Sequence, residues 1–222
     1  MAMDGNLPPM GSELLLDEAT TTRKPEHARY VALKRGFDIV TSLCFLPVVA
    51  VIAVVLLIIN PIWNRGPLFF VQTRMGRDCQ PFKAYKFRTM RCAPEIVRGP
   101  NDPVETDRIT RLGAFLRKTR IDELPQFANV LLGQMSVIGP RPDYWDHAVH
   151  YARTVPGYRH RYSMRPGITG LAQVDNGYAE GEDATLIKTN HDLRYIQSAG
   201  LATDWYVLKR TVVVVFTGFG AR

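Results

Sequence analysis

Residues 39–59 read IVTSLCFLPVVAVIAVVLLII, 21 consecutive positions without a charge. As one straight helix rising about 1.5 Å per residue, this run covers about the thickness of a bilayer hydrocarbon core. It begins too far from residue 1 for a secretory signal, and no small-residue cleavage site of the A-x-A kind follows, so it reads as a membrane segment. Arg29, Lys34 and Arg35 precede it, and Arg65, Arg74 and Arg77 follow it. A single crossing cannot leave both cationic flanks on the cytoplasmic side, whereas a segment that enters, bends and leaves on one face can. Pro47 lacks the N–H that a helix interior uses and clashes with the preceding turn, which predicts a bend within a residue or two of Leu46. An ordinary kinked helix spanning once is the alternative, because prolines are tolerated in spanning helices.

Outward from this segment the composition changes on both sides. Residues 1–28 mix Pro, Gly, Thr and charges around one short apolar patch, Leu14 to Leu16, and are expected to form a flexible tail. The membrane-inserting helix is expected over 29–62 and a soluble domain over 63–222. Leu68 to Gln72 and Phe82 to Phe87 read as a pair of strands. Three prolines and a glycine make 92–107 a loop. Ile109, Leu112, Phe115 and Leu116 recur at helical spacing, predicting a helix that ends near Arg120. Leu124, Phe127, Val130 and Leu131 predict another, stopped by Gly133. A short strand over 135–138 leads into the rigid turn Gly139-Pro140-Arg141-Pro142. Helices follow at 144–153, 184–197 and 203–216, with a loop at Arg165-Pro166-Gly167. In the last helix Trp205, Leu208, Val212 and Phe216 share one face that suits a membrane surface. The fold class is therefore α+β: a mostly helical membrane-associated domain with a short β element and an N-terminal re-entrant, kinked membrane helix.

The chain has 222 residues, room for one domain with a sizeable core. Its 28 Lys and Arg against 21 Asp and Glu give a net charge of +7, which draws nucleic acid, acidic head groups or a phosphorylated substrate without choosing among them. Three scattered cysteines, none spaced C-x-x-C, read as reduced thiols and argue against structural zinc. No G-x-x-x-x-G-K-[ST], G-x-G-x-x-G, H-E-x-x-H or G-x-S-x-G is present, which removes weight from the common nucleotide-binding and hydrolytic classes. His147 and His150, near Asp143 and Asp146, have metal-ligand types, but the polar face of an exposed helix accounts for them.

The stretch RKTRIDELPQ at 117–126 puts two adjacent carboxylates, Asp122 and Glu123, after three cations and at a helix start. Capping and the helix dipole favour Asp, Glu and Pro there in any case. The same N–H groups and dipole also stabilise a bound phosphate, whose oxygens neighbouring Arg side chains can pair.

Four blocks then carry a resemblance over nearly all of 34–216: Lys34-Arg35 with Phe37-Asp38, PFKAYKFRTM at 81–90, RKTRIDELPQFANVLLGQMSVIGPRP at 117–142, and MRPGITGLAQV at 164–174. In these the chain resembles the bacterial sugar transferase family, small monotopic polyprenyl-phosphate sugar phosphotransferases. The resemblance implies transfer of a sugar-1-phosphate from a nucleotide diphosphate sugar, UDP-linked in the usual case, to polyprenyl (undecaprenyl) phosphate, the step that initiates glycoconjugate or exopolysaccharide synthesis. It implies that Asp122 is the nucleophile of a covalent phosphosugar intermediate and that Glu123 assists with metal or proton handling, with Mg2+ as the ion and both carboxylates as its ligands. Lys83, Lys86, Arg88, Arg120, Arg141 and Arg165 lie in the matching blocks and are the expected phosphate contacts. Arg141 and Arg165 lead, because proline holds each in a rigid turn. Lys34, Arg35 and Pro47 are expected at the membrane anchor and bend.

The implied partners are a nucleotide sugar, polyprenyl phosphate and membrane lipids, not nucleic acid, with a homodimer left open. The implied location is the bacterial inner membrane, with residues 63–222 as a catalytic domain on the cytoplasmic face. The chain departs from the family at Leu46-Pro47, where Ser-Pro is usual, and at Asp175-Asn176-Gly177-Tyr178, where relatives often carry a basic residue. Two other classes remain: a non-enzymatic membrane-anchored binder of anionic ligands, and a lipid-linked phosphatase that lets water finish the reaction.

Overall fold

The structure, a computed structural model, describes residues 25–93, 99, 102, 105–176 and 182–217. Most of the expected tail, much of the expected loop at 92–107 and part of the segment after Asp175 lie outside these residues. Helix α1 spans Pro25–Trp63, so residues 25–28, expected in the tail, are helical. It is helical without interruption through Pro47 and Pro61, and the two arms expected around Leu46 are not separated by any break in the helix.

Along α1 the buried residues Tyr30, Asp38, Ser42, Val49, Leu56 and Asn60 recur at three- to four-residue multiples and form one stripe. That stripe packs on the rest of the protein, while Val40, Val51, Val54, Ile58 and Ile62 face outward. Polar groups fix it at both ends. Tyr30 Oη and Lys34 Nζ donate to Asp204 at 3.0 and 2.8 Å. Arg35 donates to the carbonyls of Val130 and Leu131, and Asp38 accepts from Ser136 Oγ and Val137 N. Beyond the far end, Asn64 Nδ2 donates to the carbonyl of Arg88 at 2.8 Å. Lys34 and Arg35, expected as membrane anchors, thus spend these contacts on the protein itself.

Strands β1 (Phe69–Met75) and β2 (Pro81–Phe87) form an antiparallel hairpin in the register Phe69↔Phe87 to Met75↔Pro81. Helix α2 (Arg111–Lys118) is capped by Thr110, whose hydroxyl accepts from Gly113 N at 2.9 Å. Helix α3 (Gln126–Leu131) precedes Gly133, which is left-handed at φ 80°, the conformation that ends a helix with least strain in glycine. Strand β3 (Ser136–Ile138) pairs in parallel with β4 (Gly167–Thr169), which begins at the last residue of the expected loop Arg165-Pro166-Gly167 and has no counterpart among the expected strands. The backbones touch here: a Cβ on Gly167 would stand 2.2 Å from Gly139 N. Helices α4 (Trp145–Thr154), α5 (Leu171–Asn176), α6 (Glu182–Gln197) and α7 (Leu201–Thr217) complete a mostly helical chain.

Three apolar clusters hold these elements. One joins β2, α3, β3, α6 and α7 through Ala84, Phe127, Val130, Met135, Ile138, Tyr195 and Val207. A second packs Met75 against Ala148, Tyr151, Tyr158 and Tyr162, and a third packs Val49 and Leu56 of α1 against Phe87 and Leu116. On α7, Trp205, Val212 and Phe216 face outward as expected, whereas Leu208 packs against the first cluster.

Candidate active site

Helix α2 ends at Lys118, and Arg120 reverses the chain with a left-handed backbone (φ 60°). A non-glycine residue in this region costs on the order of 1–3 kcal/mol and is held only where its surroundings demand it. The reversal delivers a single 3-10 turn, Ile121–Glu123, in which both carboxylates are buried, Asp122 at 7% and Glu123 at 6% exposure. The turn corrects one expectation. Asp122 is not the cap of a helix: the residue before the turn is Arg120, the residue before α3 is Pro125, and neither end carries a side-chain cap.

Glu123 is saturated by cations. Lys86 Nζ donates to Oε1 at 2.7 Å, Arg141 Nη1 donates to Oε2 at 3.0 Å, and Arg141 Nη2 closes a bidentate fork on Oε1. Burial alone would raise this carboxyl, but Arg141 and Lys86 outweigh it and hold Glu123 well below the usual carboxylate range. Asp122 is the opposite case. Burial pushes its carboxyl above the ordinary range and the adjacent Glu123 adds to that, against the fields of Lys86, Arg141 and Arg117. Among the described residues, no side chain donates a hydrogen bond to the Asp122 carboxylate. Burial brings Lys86 down to about 8, Glu123 pulling it back up and Arg74 and Arg141 pushing it further down. Lys86, Arg141 and Arg117 thus act electrostatically on Asp122, and Arg74 and Arg141 on Lys86, so cations surround the two carboxylates. A cationic surrounding of this kind suits an anionic phosphate.

The structure brings together four of the expected residues, Asp122, Glu123, Lys86 and Arg141, with Arg120 shaping their turn. It takes three others elsewhere. Lys83 is exposed and donates to Thr73 Oγ1 across the hairpin, on the opposite face of β2 from Lys86, as strand alternation requires. Arg88 is buried and gives its guanidinium to Asn64, Pro67 and Met90. Arg165 Nε donates to the carbonyl of Gly133 at 2.8 Å, and its charged neighbours are Arg35, Arg77 and Asp38. With Arg35 on Val130 and Leu131, it closes the carbonyl end of α3.

Arg74 and Arg117 were missed as site residues. Arg117 stands in the same quoted block as Asp122, five residues before it, and that nearness is the signal by which it could have been found. Arg74 carries no such signal, because only the hairpin register and its bond to the Pro142 carbonyl bring it in. Asn129 was also missed. Its amide accepts from Tyr85 N and donates to the carbonyl of Lys83, tying α3 to β2 so that Lys86 faces Glu123.

Magnesium can be tested against these donors. Mg2+ takes one or two carboxylates together with substrate phosphates and water. The Asp122 carboxylate fits that role. Glu123 has both oxygens engaged and would enter only by exchanging one of its cations. Among the described residues no group of three or more His, Cys, Asp or Glu converges, and His147 and His150 instead lie edge-on to Tyr144 and Tyr151.

The chain is 41% identical to the UDP-N-acetylgalactosamine-undecaprenyl-phosphate N-acetylgalactosaminephosphotransferase of Aeromonas hydrophila, over 87% of this chain and 46% of that protein. It is 41% identical to the exopolysaccharide production protein PSS of Rhizobium leguminosarum bv. phaseoli, over 84% of this chain and 96% of that protein. It is also 41% identical to the UDP-glucose:undecaprenyl-phosphate glucose-1-phosphate transferase of Escherichia coli (strain K12), over 84% of this chain and 40% of that protein. The chain thus spans less than half the length of two of these relatives and nearly all of the third. The profile described as bacterial sugar transferase matches residues 29–218, from the charged start of α1 through the paired carboxylates to the end of α7, and the chain belongs to that family.

Proposed function

We propose that this protein transfers a sugar-1-phosphate from a UDP-sugar to undecaprenyl phosphate, the step that initiates polysaccharide synthesis, by way of a covalent phosphosugar on Asp122. The observation that carries the reading is the contrast inside one turn: a cation-saturated Glu123 beside an Asp122 whose carboxylate accepts no side-chain hydrogen bond among the described residues. An ionised carboxylate needs no general base to attack phosphorus, but it must approach a diphosphate of like charge. Lys86, Arg141, Arg74 and Arg117 supply the neutralising charge. Asp122 Oδ forms a bond to the phosphorus bearing the sugar while the bridging P–O bond breaks, and uridine monophosphate leaves with the electron pair. A phosphate oxygen of the polyprenyl acceptor then attacks the same phosphorus and the Asp122 carboxylate is released. Mg2+, with Asp122 as its protein ligand, would neutralise further charge on the donor's phosphates.

The same reading puts both ends of α1 on one, cytoplasmic, side of the membrane. It is supported by the two anchoring points, Tyr30 and Lys34 on Asp204 and Asn64 on Arg88, which belong to one folded body. The outward apolar faces of α1 and α7 suit the lipid.

The test is isotope exchange. Purified protein with a UDP-sugar and labelled uridine monophosphate, but no lipid, should move label into the nucleotide sugar. UDP-glucose and UDP-N-acetylgalactosamine are the first donors to try, since relatives are named for each. Asp122→Asn, nearly isosteric, should abolish exchange and turnover together. Exchange that strictly requires the acceptor would replace the covalent route with direct attack in a ternary complex. Free sugar phosphate released without acceptor would make the protein a phosphatase.

A further inference from the structure

Between β3 and α4 the chain passes through Pro140, Arg141, Pro142 and Asp143, and each of their carbonyls is taken by a different donor. Gly167 N donates to Pro140 O at 2.8 Å and Met75 N to Asp143 O at 3.1 Å. Arg74 Nη1 donates to Pro142 O at 2.7 Å, and Arg161 Nη2 to Arg141 O at 3.0 Å. The two prolines fix φ on either side of Arg141 and need no acceptor of their own.

Arg161 stands out among these donors because its side chain is wholly buried. Its Nε donates to Asp192 and its Nη1 to Asp143, both at 2.7 Å, and its guanidinium lies 4.7 Å from the ring centroid of Tyr158. Lys188 Nζ and Tyr158 Oη complete the bonds to Asp143. The cluster is neutral, two cations against two carboxylates, and joins α6 to the turn that carries Arg141. Stability alone is a poor reason for such a cluster, since well-packed apolar groups of the same volume are often as good or better. What the fork of Arg161 does, and an apolar group does not, is hold the Arg141 peptide in one orientation while neutralising the charges around it.

We propose that Arg161, held by Asp143 and Asp192, is a positioning residue for Arg141. It fixes the peptide from which the Arg141 guanidinium forks onto Glu123 beside Asp122. The proposal rests on the reading that Arg141 works in the active site. A displacement of about 1 Å at a catalytic group is worth about a hundredfold in rate, so a tilt of this peptide reaches the chemistry without touching substrate.

A double-mutant cycle on the full-length protein in membranes tests this, with kcat and thermal stability measured on each variant. Arg161→Lys keeps the charge between Asp143 and Asp192 but loses the fork. It should lower kcat about tenfold or more while keeping its melting temperature within a few degrees of wild type. In an Arg141→Lys background the same substitution should change kcat less than about twofold, because there is no longer a fork on Glu123 to aim. An equal loss in both backgrounds, or wild-type kcat in Arg161→Lys, overturns the positioning role. If Arg161→Lys does not fold, Lys188→Met carries the test, since Asp143 then keeps Arg161 and Tyr158. A loss of about threefold that vanishes in the Arg141→Lys background supports the proposal, and an additive loss or none overturns it. Wild-type kcat in Arg141→Lys itself would remove the active-site reading and this inference together, whereas an impaired Arg141→Lys with additive Arg161→Lys removes only the inference.

Discussion

Lys86 offers a direct test of the site through pH. It is buried beside Glu123, and desolvation with the fields of Arg74 and Arg141 brings it to about 8. Between pH 7 and pH 9 its protonated fraction should fall from about nine-tenths to about one-tenth. If its charge helps neutralise the donor diphosphate, kcat/KM for the UDP-sugar should fall about tenfold over that range, with an apparent pKa near 8, because this constant reports the free enzyme.

Stability should move the other way. An unfolded Lys titrates near 10.5, so between about 8 and 10.5 the unfolded chain binds more protons than the folded one. This group's contribution to stability therefore rises with pH, by on the order of 3 kcal/mol across the whole interval. An alkaline loss of activity without a matching loss of melting temperature separates titration of the site from unfolding. Lys86→Arg supplies the decisive comparison. A guanidinium stays charged throughout, so this variant, whatever it loses at pH 7 through altered geometry, should be flat up to about pH 9.5. A wild-type profile with no limb near 8, or a limb unchanged in Lys86→Arg, would refute the role given to Lys86.

Other expectations follow from the burial of particular groups. Arg88→Lys should leave two or more of the carbonyls of Asn64, Pro67 and Met90 without a donor, at a cost of about 3 kcal/mol. The melting temperature should drop by about 6–12 °C with KM for the donor little changed, and a selective rise in KM would return Arg88 to the phosphate site. Lys83→Ala, which removes only a bond to Thr73 on an exposed face, should keep kcat/KM within about twofold. Gly113→Ala would drive a Cβ to 1.8 Å from the Thr89 carbonyl oxygen. That contact is with backbone, so the variant should fail to accumulate as folded protein or melt at least about 10 °C lower.

What the sequence made legible, it did by local means. The apolar run, the helical spacings and the hairpin are periodic within a few residues, and helices α4, α6 and α7 lie within about two residues of where the pattern put them. The parallel strand β4 was not legible, because its partner β3 lies about thirty residues earlier and three residues carry no period. The site divides the same way. Asp122, Glu123, Arg117 and Asn129 sit in one block, whereas Arg74 and Arg161 lie outside every matching block and enter the site only through tertiary contacts.

The cations show why a list of charged residues in matching blocks overcounts a phosphate site. Arg35, Arg88 and Arg165 give their guanidinium groups to backbone carbonyls at the end of α3 and in the turns flanking the hairpin. Were one of these arginines to turn toward a phosphate, the carbonyls it serves would lose a donor, at a cost of the same order as the bond gained. Lys86 and Arg141 face a carboxylate instead. An ammonium carries three N–H donors, so Lys86 can keep its bond to buried Glu123, which would be costly to leave unpaired, and offer its others to a diphosphate. The partner that a cation already holds, carbonyl or carboxylate, therefore decides which arginines and lysines of this chain are available to the donor.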